Sequence, residues 1–306
     1  MTSLDALVVG AGPAGITAAM YLARSGCSVA LCERLTSGGQ MLMTAALENY
    51  PGFPEGIKGY ELADRMAAHL DGLAVERLTG DVQALAGKAP DFTATVDGRP
   101  VPCRTLLVCT GAKHRPLGVP DEERLVGRGV SYCAVCDGNF FRGRRVAVVG
   151  GGNSAMEEAL YLSKIAAEVT LIHRRDEFRG AKLYLQRLES MPGKVVILRS
   201  SVVTALHGES DLTGITVRNV ATGEERQIPM DGLFVYVGSA PETAYLPPEL
   251  ERDDRGFIVT DTEMRTSVPG IFAAGDIRSK NCRQVITAAG DGATAAHAAF
   301  LFLERV

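Results

Sequence analysis

Val8-Val9-Gly10-Ala11-Gly12-Pro13-Ala14-Gly15 closes a β-branched apolar strand with GxGxxG and opens an amphipathic helix. A second apolar run, Val29 to Cys32, follows, and Glu33 closes it 18 residues after Gly15. In this pattern the first glycine permits a tight turn, the second lets a pyrophosphate approach backbone N–H groups at the helix N-terminus, and the third allows close packing on the sheet. A carboxylate at the end of the second strand accepts from ribose hydroxyls. The stretch predicts the opening β-α-β of a doubly wound dinucleotide-binding domain, with Gly10, Gly12, Pro13, Ala14, Gly15, Glu33 and Arg34 at the ligand.

The same pattern returns 140 residues later. Val8–Arg34 laid on Val148–Arg174 matches at ten of 27 positions, among them Gly10/Gly150, Gly12/Gly152, Tyr21/Tyr161 and Arg34/Arg174. One fold is present twice. The second copy is not a C-terminal half, because Gly270-Ile271-Phe272-Ala273-Ala274-Gly275-Asp276 starts a further strand-and-glycine signal downstream. An insertion follows: an α/β protein of two Rossmann-like three-layer domains, the first made of 1–114 and 244–306, the second of 115–243. The crossings fall in Lys113-His114-Arg115-Pro116 and Gly238–Thr243, rich in Pro and Gly as linkers are.

In the second copy, Gly150-Gly151-Gly152-Asn153-Ser154-Ala155 takes alanine in the third place, and His173 stands where Glu33 stands in the first. Arg174, Arg175 and Arg179 follow. A carboxylate there repels a 2′-phosphate, whereas arginines attract it and bond it bidentately, which predicts NADP(H) over NAD(H). The alternative is a solvated basic face.

Cys133-Ala134-Val135-Cys136-Asp137 precedes the second fingerprint, with Cys136 14 residues before Gly150. A CxxC sets two sulfurs within disulfide reach and can lower a thiol pKa enough to populate a thiolate at neutral pH. Asp137 is placed to exchange a proton with a leaving thiolate. A structural zinc site wants four ligands, and neither a second CxxC nor a His pair accompanies this one. A buried apolar pair is the other reading, opposed by the turn residues Asp137-Gly138-Asn139. Cys32 and Cys109 read as core residues, His69, His207 and His297 have no ligand spacing, and Met41 and Met43 read as core filling.

Composition restricts the partners. With 32 Lys+Arg against 36 Asp+Glu among 306 residues, the net charge of −4 excludes a nucleic-acid binder that relies on phosphate neutralisation. Seven cysteines in a chain able to build a full core argue for a reducing compartment, hence the cytoplasm, and against a secreted disulfide framework. The N-terminus lacks a basic n-region, and no stretch reaches about 18 consecutive apolar residues, so neither signal peptide nor membrane span is expected.

Two fingerprints, the second inserted in the first domain, with Ser131-Tyr132-Cys133-Ala134-Val135-Cys136-Asp137 just before the second, resemble the low-molecular-weight thioredoxin reductases. The resemblance extends to Ser37-Gly38-Gly39-Gln40, Glu48-Asn49-Tyr50-Pro51-Gly52, Thr110-Gly111-Ala112, His173–Arg179, Gly270–Asp276 and Arg283-Gln284-Val285-Ile286-Thr287. It implies FAD on the first domain, with Glu33 at the adenosine ribose and Asp276 at the flavin chain. Gly39, Gln40, Asn49, Thr110, Gly111, Ala112, Gly275, Arg283, Gln284 and Val285 are then near FAD. NADPH is implied on the second domain, at Gly150, Gly152, Asn153, Ser154, Ala155, His173, Arg174, Arg175 and Arg179. Cys136 would face the flavin, Cys133 would attack thioredoxin or a thioredoxin-like protein, and the relatives are homodimers. Val285 and Gly180 depart from the alanines common in relatives.

The implied reaction passes hydride from NADPH to FAD, electrons to the Cys133/Cys136 disulfide, and thiols to thioredoxin. Dithiol and nicotinamide site share the inserted domain while the flavin belongs to the other, so a swing about the crossings is expected. Competing readings are a flavoprotein that uses the dithiol differently and a flavin-binding redox sensor. An oxygen-using relative has no need of Arg174, Arg175 and Arg179, and a ferredoxin reductase has none of Cys133 and Cys136.

Overall fold

The computed structural model describes residues 3–44, 47 and 49–306; Glu48 of the Glu48–Gly52 match, and Met1 and Thr2 of the N-terminus, lie outside the described residues. The chain divides into two compact units: Met1–Leu42, Tyr50–Lys113 and Ala240–Val306 in one, Met43–Asn49 and His114–Ser239 in the other. The sequence places the boundaries at 114/115 and 243/244 and keeps 43–49, with Asn49, in the first domain. Contacts set the divisions at 113/114 and 239/240 and group 43–49 with the second unit. Ala112–His114 and Ser239–Pro241 pair as a two-stranded ribbon at the crossings.

In the first unit Val75–Thr79, Val29–Glu33, Leu4–Val9 and Arg99–Val108 lie side by side in a seven-stranded sheet. The central pairs are parallel, with Val8 opposite both Leu31 and Leu107. Arg99–Val108 is long enough to serve two neighbours. Its first half pairs antiparallel with Asp91–Val96, and its last residues pair parallel with Ile271–Ala273. Strand periodicity sends Ala6 and Val8 into a core beneath the helices Pro13–Arg24 and Val285–Leu303, and Leu7 and Val9 into a second core on the opposite face. Burial on both faces explains why the strand reads as a continuous apolar run.

The second unit repeats the plan. Val195–Leu198, Glu168–Ile172, Arg145–Val149, Gly232–Val235 and Val130–Ser131 form an all-parallel five-stranded sheet. Val146 and Val148 face the helix Asn153–Leu162, while Ala147 and Val149 face a core shared with the antiparallel sheet Ser201–His207, Gly214–Asn219 and Glu225–Pro229. The fifth strand is supplied from opposite directions: in the first unit it follows the insertion, in the second it precedes the fingerprint strand.

One helix among the described residues, Val285–Leu303, is long and apolar enough by length and composition to cross a membrane, with mean hydropathy 1.2. Thr287, Gly290, Asp291 and His297 interrupt its apolar run, so it contains no stretch of about 18 consecutive apolar residues. Ala288, Gly292, Ala295, Ala296 and Ala299 are buried. A Cβ on Gly292 would stand 2.2 Å from the Ala14 carbonyl oxygen, so this is a core helix in close contact with the fingerprint helix.

Candidate functional site

In the first fingerprint, two glycines are required by the protein itself. Gly10 has φ +99°, and a Cβ there would lie 2.5 Å from the Cys109 carbonyl oxygen; a Cβ on Gly15 would lie 1.8 Å from that of Gly10. Gly12 differs. Its backbone is extended, and a Cβ would meet nothing within 4 Å. The second copy repeats this: a Cβ on Gly150 would clash with the Tyr236 carbonyl oxygen at 2.5 Å and with Ala155, while Gly152 faces open space. A glycine with no packing reason, opening a helix N-terminus at the carboxyl end of the central strand, fits a ligand that needs the backbone itself.

Other predicted residues of the first unit gather around that turn. Glu33 accepts from Ala11 N–H at 2.9 Å and Leu35 N–H at 3.0 Å, one bond on each oxygen, which leaves lone pairs for ribose hydroxyls. Gly38 N–H donates to Ala11 O at 2.7 Å, bringing Gly39 and Gln40 to the turn, and Gln40 Nε2 donates to Ala112 O. Thr110 and Gly111 follow Cys109, whose carbonyl Gly10 packs on. Gly275 packs against Ala14, which puts Asp276 beside the start of the fingerprint helix. Asp276 Oδ1 is buried without a hydrogen-bond partner, and burial raises the proton affinity of this carboxyl. Such an atom is expensive unless a bound hydroxyl completes it.

Arg34 takes a different part, pairing with Glu242 at 3.3 Å. Arg283 lies over the Phe257 ring, its Cζ 4.3 Å from the centroid, and donates to Arg278 O. Gln284 is the N-cap of the C-terminal helix, in a reciprocal capping box with Thr287, and Val285 is that helix's first residue. Asn49 is exposed.

In the second unit Arg174, Arg175 and Arg179 are all exposed, on a loop tied back to the fingerprint. Gly151 O accepts from Arg179 N–H at 2.9 Å and Gly180 N–H at 3.2 Å, and Asn153 Oδ1 accepts from Ala181 N–H at 2.7 Å. Ser154 is exposed at the start of the helix, and Ala155 is buried. His173 does not join the arginines. It is 5% exposed, bonded through Nε2 to Glu177 O and packed against Phe178, and it fills the space a Cβ on Gly151 would need. Burial pushes its basicity down, so it stays neutral and braces the loop. Gly180 has its own reason: a Cβ there would meet Met156 Cε at 2.0 Å.

Cys133 and Cys136 form a disulfide with Cα atoms 5.3 Å apart. Cys136 lies in a one-turn helix, Ala134–Asp137, for which Cys133 is the N-cap; the Cys133 Sγ accepts from Cys136 N–H at 3.2 Å. Ser131 Oγ accepts from Cys133 N–H at 3.0 Å and donates to Asp137 Oδ2 at 2.6 Å. Asp137 Oδ1 is buried without a partner, and burial, against the Ser131 bond, pushes this carboxyl upward, so it holds a proton beside Cys136 more readily than an exposed aspartate does. A cavity of about 370 Å³, lined by Ser131, Asp137, Arg128, Arg144, Phe140 and Phe141 among others, leads to it.

Tyr236 and Glu158 belong to this centre and were not expected from sequence. The Tyr236 hydroxyl accepts from Ala134 N–H at 2.6 Å, and burial, Glu158 and Asp137 push its ionisation far above the phenol range. Burial, then Glu157, raises Glu158 to about 7. No local motif marks either residue. The nearest signal is position: Tyr236 follows the strand beside the fingerprint strand, and Glu158 is on the fingerprint helix. Burial pushes Cys32 up to about 11 and Cys103 up to about 12, so both stay protonated as core residues.

The pyridine nucleotide-disulphide oxidoreductase family model matches residues 4–292. A thioredoxin reductase from Listeria monocytogenes is 44% identical over 304 residues, covering 99% of this chain and 94% of its own. A bifunctional thioredoxin reductase/thioredoxin from Mycobacterium leprae is 42% identical over 294 residues, 95% of this chain and 64% of its own. The crystal structure of thioredoxin reductase from Streptococcus pyogenes superposes with a TM-score of 0.93 at 44% identity, covering 99% of both chains.

Proposed function

The chain belongs to the thioredoxin reductases of the pyridine nucleotide-disulphide oxidoreductase family, FAD- and NADPH-dependent enzymes, and from that premise we propose how its own residues divide the work. The first unit holds FAD at the Gly10–Gly15 turn, with Glu33 at the adenosine ribose, Asp276 at the flavin chain, and Gly39, Gln40, Thr110–Ala112 and Arg283–Val285 around it. The second unit holds NADPH at Gly150–Ala155, with Arg174, Arg175 and Arg179 on the 2′-phosphate and His173 and Asn153 bracing them. The bound flavin supplies the conversion of a hydride into an electron pair that a disulfide can accept.

Two electrons open the Cys133–Cys136 bond and leave both sulfurs reduced. Asp137 gives a proton to the Cys136 thiolate and takes it back when that thiol is next needed as a nucleophile. The Cys133 thiolate attacks the disulfide of oxidised thioredoxin and forms a mixed disulfide, releasing one partner thiolate. Cys136, deprotonated by Asp137, then attacks Cys133 Sγ, frees reduced thioredoxin and restores the intramolecular bond. The relative whose name joins a thioredoxin to the reductase supports this partner. Because the dithiol and the arginine fingerprint share one unit and the FAD fingerprint belongs to the other, the crossings at 113/114 and 239/240 serve as hinges that present each in turn.

The observation that carries this reading is the disulfide set beside a buried Asp137, whose proton affinity burial raises, in the unit that carries the arginine loop. The same reading makes the enzyme a homodimer of a reducing cytoplasm, with neither nucleic-acid nor membrane partners. The net charge of −4 supports the lack of a nucleic-acid partner, and five free cysteines among the described residues support the reducing compartment. The test is anaerobic NADPH oxidation with and without oxidised thioredoxin. Turnover is expected only with thioredoxin present, and Cys136→Ser should still bleach its flavin with NADPH yet reduce no thioredoxin. Thioredoxin reduction at the parent rate by Cys136→Ser would refute the assignment.

A further inference from the structure

The C-terminal helix carries a charge that the reaction does not use. Asp291 Oδ2 accepts from Gly275 N–H at 3.1 Å and from Lys280 Nζ at 2.9 Å, and Asp291 Oδ1 pairs with Arg278 Nη1 at 2.9 Å. The three side chains are only 12–13% exposed. The same Lys280 forms an ion pair with Asp276 Oδ1 at 3.6 Å, longer than its 2.9 Å bond to Asp291, and that oxygen is buried with no hydrogen bond within 3.5 Å. Lys280 therefore faces two carboxylates and is bonded to one. Arg278 is held in addition by Thr260 Oγ1 at 2.8 Å, and Arg283 is anchored to Arg278 O. Asp276 Oδ1 is thus left with a 3.6 Å ion pair to Lys280 and no hydrogen bond, beside Arg283 and Asp291.

We infer that Asp291 is a positioning residue for flavin binding: by retaining Lys280 it keeps Asp276 Oδ1 open for a hydroxyl of the cofactor. A charge-assisted bond between Lys280 and Asp276 would be short, strong and shielded from water. A cofactor hydroxyl would have to displace it. With Asp291 holding the ammonium, the oxygen is desolvated in advance and accepts the ligand without rearrangement. The bond from Asp291 to Gly275 N–H fixes the backbone that leads into Asp276, so one carboxylate sets both the charge and the geometry of the turn. The inference rests on the reading of the first unit as the FAD site.

The test follows FAD release from the holoenzyme, after dilution, by the rise in flavin fluorescence. Asp291→Ala should release FAD about tenfold faster than the parent, equivalent to about 1.4 kcal/mol. The double variant Asp291→Ala/Lys280→Met should return to within about threefold of the parent, since no ammonium remains to close on Asp276. Asp291→Asn, which preserves the acceptor for Gly275 N–H, should behave like Asp291→Ala and covers the case in which the alanine variant does not fold. Lys280→Met alone should release FAD at the parent rate within about threefold. A double variant as leaky as the single one, unchanged release in Asp291→Asn, or accelerated release in Lys280→Met would each overturn the inference. A parent protein purified without flavin would instead overturn the FAD reading beneath it.

Discussion

Substituting alanine at Gly12 and at Gly15 separates what the fold needs from what the ligand needs. Gly12 has φ −75° and ψ −176°, which any residue adopts, and its Cβ would enter open space. In the FAD-free protein, Gly12→Ala should be neutral to stabilising by about 0.4–1 kcal/mol, because it narrows the unfolded ensemble. Thermal unfolding should rise by about 1–3 °C. At Gly15 the Cβ would sit 1.8 Å from the Gly10 carbonyl oxygen, a backbone atom that cannot rotate away. Gly15→Ala should lose stability at or beyond the upper end of the roughly 1–3 kcal/mol typical of overpacking. FAD binding should reverse the ranking of Gly12. The new methyl occupies the approach to the helix N-terminus, and losing one bond between N–H and a charged phosphate, about 1.5–3 kcal/mol, weakens binding ten- to hundredfold. The assays are FAD content and affinity by flavin fluorescence, with thermal unfolding of each variant stripped of FAD. Parent-like FAD affinity in Gly12→Ala, or equal destabilisation of the FAD-free protein by both substitutions, would refute the reasoning.

Replacing Arg174, Arg175 and Arg179 together with glutamine should reduce kcat/KM for NADPH about ten- to hundredfold and leave that for NADH within a few fold, read from flavin bleaching with each nucleotide, since bonds to the phosphate charge are worth about 1.5–3 kcal/mol. The raised Glu158 gives a pH signature: below about 4.5 it is protonated folded and unfolded, between 4.5 and about 7 only the folded state keeps the proton, so stability declines as pH rises and levels off above 7. Glu158→Gln should match the parent at pH 4 and exceed it at pH 8, by about 3 kcal/mol from the shift from 4.5 to about 7; identical pH profiles of thermal unfolding would contradict the assignment.

Where backbone geometry demands a residue type, the sequence is explicit. Gly10, Gly15 and Gly150 are glycines because a neighbouring carbonyl occupies the Cβ position; the constraint at Gly10 recurs 140 residues on at Gly150, although Ala155 replaces Gly15, and that recurrence reveals both the duplication and the insertion. Side-chain roles are less legible. His173 aligns with Glu33, yet the residue paired with Ala11 in the second copy is Gly151, and the missing methyl lets the imidazole turn inward where a carboxylate reaches the backbone in the first copy. Tyr236 meets Ala134 across 102 residues, and Asp291 meets Lys280 across 11; only folding brings them together. Gln284, expected at the cofactor, also caps the C-terminal helix through a reciprocal pair with Thr287, a second role that only the folded backbone reveals.

The insertion also orders events during synthesis. The ribosome delivers 114–239, with all five strands of its parallel sheet, before it makes Ile271–Ala273 or the helix Val285–Leu303. The inserted half can therefore close its core while the surrounding half still shows Ala18, Ala19 and Leu22 of its first helix to solvent, waiting for the alanine-rich partner helix. Chaperone demand falls on the part of the molecule begun earliest and finished last, and a ribosome stalled after residue 239 would release a chain with one sealed module and one adhesive surface.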